Sequence, residues 1–323
     1  MTPKEFIEKR LNALKTTDTT APIFKSDEEL AEFIFKTIMS KKFRKFSVTP
    51  PEYTSTIRKA IENSIKNNLP IKFLWPFGGY KLWRLEETPE ADWAELFSLM
   101  YFSKWLMSIT MVYKPGVEFD FSSDDIIVER MNNIPKIDTE AYARSFKDII
   151  NFLGKYLPDN FKFKFTPVGS YYTEKEFNDE LNEKIEKMQK ELGGLPVLDE
   201  KHKKMVELNV LLKPGQDQDP FWREKVELIH QSYYTLSKRY AYTRSKEKIL
   251  VFTTSFGNCI AIGTTKTSIA KFWPGVGALR TRTNDFTETV LSPSQLKSSQ
   301  FTKEEIKIEG LNGKNFKNIR IIN

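Results

Sequence analysis

Residues with the chemistry to bind or convert a small molecule gather in two short stretches of the sequence. A glycine turn, Gly78-Gly79-Tyr80, precedes Lys81, so backbone N–H groups and a point charge together could hold a phosphate or a carboxylate. Ser123, Asp124 and Asp125 follow an alternating stretch, and their carboxylates could orient hydroxyls, act as a base or bind a metal ion. An ordinary βα turn and an Asx-type turn or helix cap are the respective alternatives.

Two further groups have side chains that could contact a ligand. Asp92 and Glu95 stand one helical turn apart near a predicted helix start and share a face, although surface carboxylates at a positive helix end are the alternative. The stretch 264–277 mixes hydroxyls, lysines and glycines between strands, and it could close over a ligand. A β connection with Trp273 as a core anchor would explain it equally well.

The common cofactor motifs are absent from the sequence. The 323 residues include two histidines and one cysteine, and no Cys/His cluster has zinc spacing. There is no GxGxxG, GxxxxGK[ST] or GxSxG motif. Nucleotide-dependent dehydrogenases, P-loop ATPases and zinc enzymes are therefore disfavoured. His230, in the middle of a predicted helix, is expected to be structural, and Cys259 is expected to be a buried small apolar side chain.

Composition and charge favour a soluble intracellular protein. Apolar residues make up 40% of the chain, which is enough to bury a sizeable core. The net charge of +7 fits a lysine-rich solvated surface, with phosphate-binding basic groups as the alternative. No apolar run approaches the roughly 18 residues of a membrane span. The charged N-terminus and the single cysteine predict a cytoplasmic protein without a membrane partner.

The elements that must position these residues alternate between strand and helix. Ile71–Trp75 and Val117–Phe121 are predicted strands, joined by a helix from about Thr88 to residue 112. Such a βαβ unit predicts a parallel sheet. Ligands usually bind outside the carboxyl ends of its strands, which is where Lys81 and Asp124 follow.

The remaining pattern predicts an α/β fold with a mostly parallel sheet and a β-rich C-terminal part. The other predicted helices cover 27–39, 51–68, 138–153, 173–192 and 219–240. The other predicted strands cover 161–165, 249–252, 259–262, 276–280 and 286–291, with a β-rich tail near 305–322. We expect a helical segment, 1–69, packed on a single domain, 70–323, with a helical excursion around 173–218.

The order of these pieces resembles the isocyanide (isonitrile) synthase family, which is related to pyoverdine and dityrosine biosynthesis proteins. The resemblance extends from Pro70 to about Leu153 and depends on the ordered series rather than on any one motif. The matching residues are Pro70, Phe77-Gly78-Gly79-Tyr80-Lys81, Asp92 with Glu95, Tyr113-Lys114-Pro115-Gly116, Ser123-Asp124 and Tyr142. A looser match covers Trp273-Pro274-Gly275-Val276.

The resemblance implies a Rossmann-like fold and an enzyme that condenses an amino-acid amine with ribulose 5-phosphate, without a metal or redox cofactor. Lys81 would contact the phosphate or the carbonyl, and Asp124 or Asp125 would act in proton transfer. Arg84 or Lys271 would assist Lys81 electrostatically. The predicted substrate contacts are Gly78, Gly79, Arg84, Asp92, Glu95, Ser123, Lys266, Lys271 and Trp273.

Departures from the family pattern motivate two other hypotheses. Asp125 replaces a glycine, Pro274 replaces a histidine, and a further family histidine has no counterpart near 251–254. A non-catalytic or regulatory small-molecule-binding relative is therefore the second hypothesis. A nucleic-acid-binding protein is the third, motivated by the basic charge and by the Lys/Phe alternation at 161–165.

Overall fold

The apolar patterns of the sequence become the strands and helices of two sheets. A computed structural model describes residues 1–15, 22–40, 51–78, 81, 85–87, 89–252, 259–262 and 269–323. The helices are α1 (Pro3–Asn12), α2 (Asp27–Ile38), α3 (Pro51–Lys66), α4 (Trp93–Val112), α5 (Asp125–Met131), α6 (Lys136–Gly154), α7 (Glu174–Leu192), α8 (Glu200–Glu207), α9 (Trp222–Tyr233), α10 (Ser237–Thr243) and α11 (Pro293–Ser298). The strands are β1 (Ile71–Phe77), β2 (Val117–Ser123), β3 (Phe161–Phe165), β4 (Lys248–Phe252), β5 (Ile260–Ala261), β6 (Val276–Thr281), β7 (Phe286–Leu291), β8 (Phe301–Glu305) and β9 (Asn318–Ile322).

The first sheet has five strands in the order β3-β2-β1-β4-β5, and every neighbouring pair runs parallel. β1 and β2 are buried on both faces, as expected where helices cover a parallel sheet. The predicted α/β fold with a mostly parallel sheet flanked by helices is confirmed. Strand order reverses between β1 and β4, and sheets of this kind bind ligands at such a reversal.

Helix α4 is apolar on every side because it lies between the two sheets. The ring of Phe102 packs on Phe119 of β2, with 4.6 Å between their centroids. At the start of α4, Trp93 and Ala94 meet Gly277 of β6 so closely that a Cβ there would lie 2.4 Å from the Ala94 nitrogen. A helix buried all round is expected in such a position.

The C-terminal residues form a second sheet of mixed direction, in the order β7-β6-β9-β8. β6 pairs antiparallel with β7 and parallel with β9, and β8 pairs antiparallel with β9. The predicted β-rich C-terminal part is confirmed, but the predicted tail near 305–322 is wrong in its bounds. Its strands are Phe301–Glu305 and Asn318–Ile322, and the residues between them include a short 3-10 turn.

Two predicted helices differ from the structure by more than two residues, whereas the others agree within two. α4 begins at Trp93 rather than near Thr88, because Asp92 caps it and Glu95 completes a capping box. The helix predicted over 219–240 is two helices, α9 and α10. The Leu236 backbone leaves the helical region with φ −57° and ψ 132°, and the Thr235 hydroxyl donates to the Ser232 carbonyl.

The N-terminal helices contact both the parallel sheet and helix α4 through buried hydrogen bonds. The Tyr53 hydroxyl of α3 accepts a hydrogen bond from the Leu250 nitrogen of β4, 2.8 Å away. The Trp105 indole of α4 donates to the Ile38 carbonyl at the end of α2. The division into a segment 1–69 and a domain 70–323 stays a prediction. In the described residues, none of the helices has the length and apolar character needed to cross a membrane.

Candidate functional site

A cavity of about 480 Å³ lies at the carboxyl ends of β1 and β4, where the strand order reverses. This is the position at which doubly wound sheets bind their ligands. Its walls come from four places: the ends of β1 and β4, the residue after β2, helices α9 and α10 with the residues that follow each, and Trp273 before β6. The lining residues are Pro76, Phe77, Gly78, Asp124, His230, Tyr234, Arg239, Tyr240, Thr243, Arg244, Leu250, Phe252 and Trp273.

Arg239, on α10, is the most deeply placed cation in the wall of this cavity. Its side chain is 7% exposed, and its guanidinium carbon lies 4.5 Å from the Tyr233 ring centroid and 4.4 Å from that of Tyr234. Its Nη2 lies 3.4 Å from Asp124 Oδ1. In the described part of the chain, its Nε is buried and has no hydrogen-bond partner. A buried donor of this kind is costly unless a ligand or a water accepts from it.

Asp124 follows β2 and is held from several directions. Its backbone nitrogen donates to the Phe77 carbonyl, which ties the ends of β1 and β2 together. Its Oδ1 accepts a 2.6 Å hydrogen bond from the Tyr233 hydroxyl. Burial, together with the charge of Asp124, raises the pKa of Tyr233 well above its usual range, so this tyrosine stays a donor. The carboxylate therefore has a fixed orientation at the cavity wall.

Trp273 supplies a second N–H group without a partner. The side chain is 4% exposed and packs edge to face on Trp75, with 6.1 Å between the ring centroids. Its Nε1 is buried, and no described residue accepts a hydrogen bond from it. Two donors, Arg239 Nε and Trp273 Nε1, thus belong to residues that line one cavity. The indole is both the predicted core anchor and a wall of the site.

Lys81 lies in a buried network behind the cavity wall and is not among the described residues that line the cavity. Its side chain is 1% exposed, and its Nζ lies 2.6 Å from Glu95 Oε2 and 3.2 Å from Asp92 Oδ1. The Tyr142 hydroxyl donates to the other oxygen of Glu95 at 2.9 Å. The structure therefore brings the predicted group of Lys81, Asp92 and Glu95 together. Their charges pair with one another, and none of the three lines the main cavity.

This network joins three segments of the chain. The Lys81 nitrogen donates to the Trp273 carbonyl, and Lys81 Nζ lies 3.4 Å from the Gly275 carbonyl oxygen. Asp92 and Glu95 cap α4 at the same point. Burial raises the pKa of Glu95 despite the nearby ammonium of Lys81. The role of Lys81 as a phosphate contact stays a prediction, and the geometry gives it a clear structural task instead.

Asp125 and Ser123 face a different space from the main cavity. Asp125 Oδ1 accepts a hydrogen bond from the Gly169 nitrogen at 2.9 Å, and burial raises the pKa of this carboxyl to about 6. Asp125 lines a second cavity of about 350 Å³. Ser123 lines a small gap beside it, and the Ser123 hydroxyl is buried without a partner among the described residues.

The other predicted contacts are only partly placed. Gly79, Arg84 and Lys266 lie outside the described residues. Gly78 lines the main cavity. Lys271 lies over the Trp273 ring, with Nζ 5.9 Å from the centroid, and is not among the described lining residues.

Sequence reasoning missed Tyr233, Tyr234 and Arg239 and assigned His230 a structural role. One continuous helix over 219–240 would spread these residues around its surface. The break between α9 and α10 instead places the Arg239 guanidinium against both tyrosine rings. The pair of adjacent tyrosines followed by arginines at 239 and 244 is the only sequence signal that could have indicated the site.

Comparisons with known proteins find similarity in structure rather than in sequence. No family model and no curated protein matches the chain. The structure is similar to that of PvcA from Pseudomonas aeruginosa, with a TM-score of 0.61 and 14% identity over 91% of this chain and 100% of that chain. Tyrosyl-tRNA synthetase from Aeropyrum pernix matches with a TM-score of 0.32 and 8% identity over 71% of this chain and 54% of that one, too weakly to support an argument. The chain therefore shares the fold of PvcA.

Proposed function

We propose that this protein is a biosynthetic enzyme that binds a phosphorylated sugar in the 480 Å³ cavity and condenses it with a small amine or amino acid. The observation that carries the proposal is a pair of buried donors in the wall of this cavity, Arg239 Nε and Trp273 Nε1, which no described residue accepts from. An anionic ligand would satisfy both. Support also comes from the ordered series of motifs that resembles the isocyanide synthase family, and from the fold that the chain shares with PvcA.

Arg239 is the proposed anion-binding group of the enzyme. A guanidinium presents a planar fork that suits phosphate oxygens, and its contact with two tyrosine rings limits the rotamers that it can adopt. Arg244 and His230 add further basic groups to the same wall. This assignment gives the phosphate contact to Arg239 in place of Lys81, whose ammonium is occupied by two carboxylates.

Asp124 is the proposed acid–base group. When an amine nitrogen attacks the sugar carbonyl carbon, a C–N bond forms, the nitrogen loses a proton and the carbonyl oxygen gains one. Asp124 can take the proton from nitrogen and return it to oxygen, after which loss of water gives an imine. The Tyr233 hydroxyl holds the carboxylate in place at 2.6 Å. The apolar part of the wall, which includes Phe77, Leu250 and Phe252, lowers the local polarity and strengthens these electrostatic interactions.

Calorimetry with ribulose 5-phosphate tests the proposal. The wild-type protein is expected to bind, and Arg239→Gln is expected to bind about 10- to 100-fold more weakly, because a charge-assisted hydrogen bond is lost. Arg280→Gln is the matched control, since Arg280 is exposed on β6. Thermal unfolding checks that both variants fold. Absence of binding by the wild type, or equal loss in both variants, would overturn the proposal.

A non-catalytic binding relative is the second candidate. Pro274 stands next to Trp273 where the resembled family has a histidine, and proline cannot transfer a proton. Incubation of the protein with ribulose 5-phosphate and a mixture of amino acids, followed by mass spectrometry, separates the two. Consumption of both reactants supports the enzyme, whereas binding without any consumption supports the non-catalytic relative.

A further inference from the structure

Asp124 stands between two cavities that meet at a narrow gap. Phe77 and Asp124 line both the gap and the 480 Å³ cavity. Asp125 and Thr139 line both the gap and the 350 Å³ cavity. The gap itself holds about 10 Å³, which is close to the space of one water molecule or one ammonium group. The two cavities therefore approach each other at the end of β2.

The gap has a buried hydroxyl with unused hydrogen-bonding capacity. Ser123 is 5% exposed, and no described residue bonds to its Oγ. Thr139, on α6, donates its hydroxyl to Glu129 at 3.1 Å or to the Lys136 carbonyl at 2.8 Å, so its oxygen can still accept. Together with the Asp125 carboxylate, these oxygens offer several acceptors around one small space.

The two cavities favour ligands of opposite charge. The ionisable residues lining the 350 Å³ cavity are Asp125, Glu129, Glu140 and Glu174 on the acidic side and Arg130 and Lys136 on the basic side. Arg130 is further engaged by Asn178 at 3.0 Å and Asn182 at 3.1 Å. The 480 Å³ cavity instead has Arg239 and Arg244 against Asp124. An anion is thus favoured on one side of Asp124 and a cation on the other.

We infer that the gap and the adjoining 350 Å³ cavity form a second subsite, which binds a primary ammonium group through Asp125, Ser123 and Thr139. A primary ammonium has three donors and no acceptor, which matches a carboxylate and two hydroxyl oxygens. Before it could act as the amine reactant, the ammonium would give one proton to the Asp125 carboxylate and so become a neutral amine. That role rests on the proposed function, whereas binding of the ammonium does not. Asp124 would then lie between the sugar phosphate and the amine.

Burial supports the choice of a cation at Asp125. Desolvation raises the pKa of Asp125 to about 6, and the Gly169 nitrogen opposes this only in part. A bound ammonium would restore the ionised form by direct attraction. A Cβ at Gly169 would lie 2.9 Å from Asp125 Oδ2, so a side chain there would press on the carboxylate. The local backbone is therefore built closely around the carboxylate.

Calorimetry with propylamine hydrochloride tests the subsite, with ribulose 5-phosphate titrated into the same samples. Asp125→Asn and Ser123→Ala are each expected to weaken propylammonium binding about tenfold or more, because each removes a partner of the ammonium. Glu183→Gln, at an exposed position of α7 outside the lining of either space, is the matched control and is expected to have little effect. Trimethylpropylammonium, which has no N–H group, is expected to bind far more weakly than propylammonium.

The two ligands make failure of the subsite distinguishable from failure of the proposed function. Binding of propylammonium that does not depend on Asp125 or Ser123, or no binding at all, would overturn the subsite. If the wild-type protein binds propylammonium but not ribulose 5-phosphate, the proposed function is overturned and the subsite is retained. Thermal unfolding of each variant identifies any loss that is due to misfolding, and Ser123→Ala keeps the test valid if Asp125→Asn is unstable.

Discussion

At the scale of single residues, Lys81 places one buried positive charge between the carboxylates of Asp92 and Glu95. Replacing it by methionine would leave both carboxylates buried without their cation. We expect Lys81→Met to reduce the free energy of unfolding by about 3–5 kcal/mol, as measured by urea denaturation.

The control for this change is Lys303→Met. Lys303 also pairs with a carboxylate, that of Glu86, but on the surface. Its replacement is expected to cost less than about 1 kcal/mol. Similar losses for the two variants would show that the Lys81 network contributes no more than an exposed ion pair does.

Asp125 gives a prediction about pH. Because burial raises its pKa to about 6, the folded state holds this proton after the unfolded state has lost it. Ionisation therefore lowers stability as pH rises from about 4 to about 6, and the penalty is constant above that range. Asp125→Asn cannot ionise, so its stability relative to wild type should rise by about 1–3 kcal/mol across this interval. Urea denaturation at several pH values measures the difference, and a flat profile would contradict the assignment.

The candidate residues differ in how far the sequence predicts them. Asp124 was predicted from its place after a strand, and the structure puts it in the wall of the main cavity. Arg239 was missed, because its surroundings depend on a break between helices that no proline or glycine marks. The sequence indicates Lys81 as a possible ligand contact because of its charge after a glycine turn, but it does not show which carboxylates will surround the lysine.

At the scale of elements, the contact between β6 and α4 requires Gly277. A Cβ there would lie 2.4 Å from backbone and side-chain atoms of Trp93 and Ala94. Gly277→Ala is expected to reduce the free energy of unfolding by more than about 2 kcal/mol, because the strand and the helix would have to separate.

Gly154→Ala provides the comparison in the same denaturation experiment. Gly154 ends α6, and a Cβ there meets nothing within 4 Å. Alanine at this position is expected to change stability by less than about 1 kcal/mol, and in the stabilising direction. Equal effects of the two substitutions would mean that β6 and α4 do not meet as closely as described.

Elements with one buried face could be predicted from periodicity, whereas β1, β2 and α4, which are buried more completely, stand out as apolar runs. The strands Phe161–Phe165 and Phe286–Leu291 have the predicted bounds. The start of α4 and the break before α10 could not be predicted in this way. Both depend on side chains that compete for backbone groups, Asp92 with Glu95 in one case and Thr235 in the other.

At the scale of the whole molecule, the N-terminal helices complete the hydrogen bonding of the parallel sheet. The Leu250 nitrogen of β4 donates to the Tyr53 hydroxyl of α3 in a buried setting. Tyr53→Phe is expected to lower the free energy of unfolding by about 1–2 kcal/mol and to speed hydrogen exchange at Leu250. Tyr240→Phe, at an exposed tyrosine, is the control for stability. Unchanged exchange at Leu250 in Tyr53→Phe would count against this link.

The sequence by itself determined the α/β fold class and the strand ends where polar residues gather. Those features follow from local periodicity and from the rule that ligands bind at the carboxyl ends of parallel strands. Only the tertiary structure decided that Lys81 pairs with Asp92 and Glu95, and that Arg239 and Trp273 face one cavity beside Asp124. The physical reason is that charge pairing and cavity formation depend on distances between residues far apart in the chain, which no local pattern encodes.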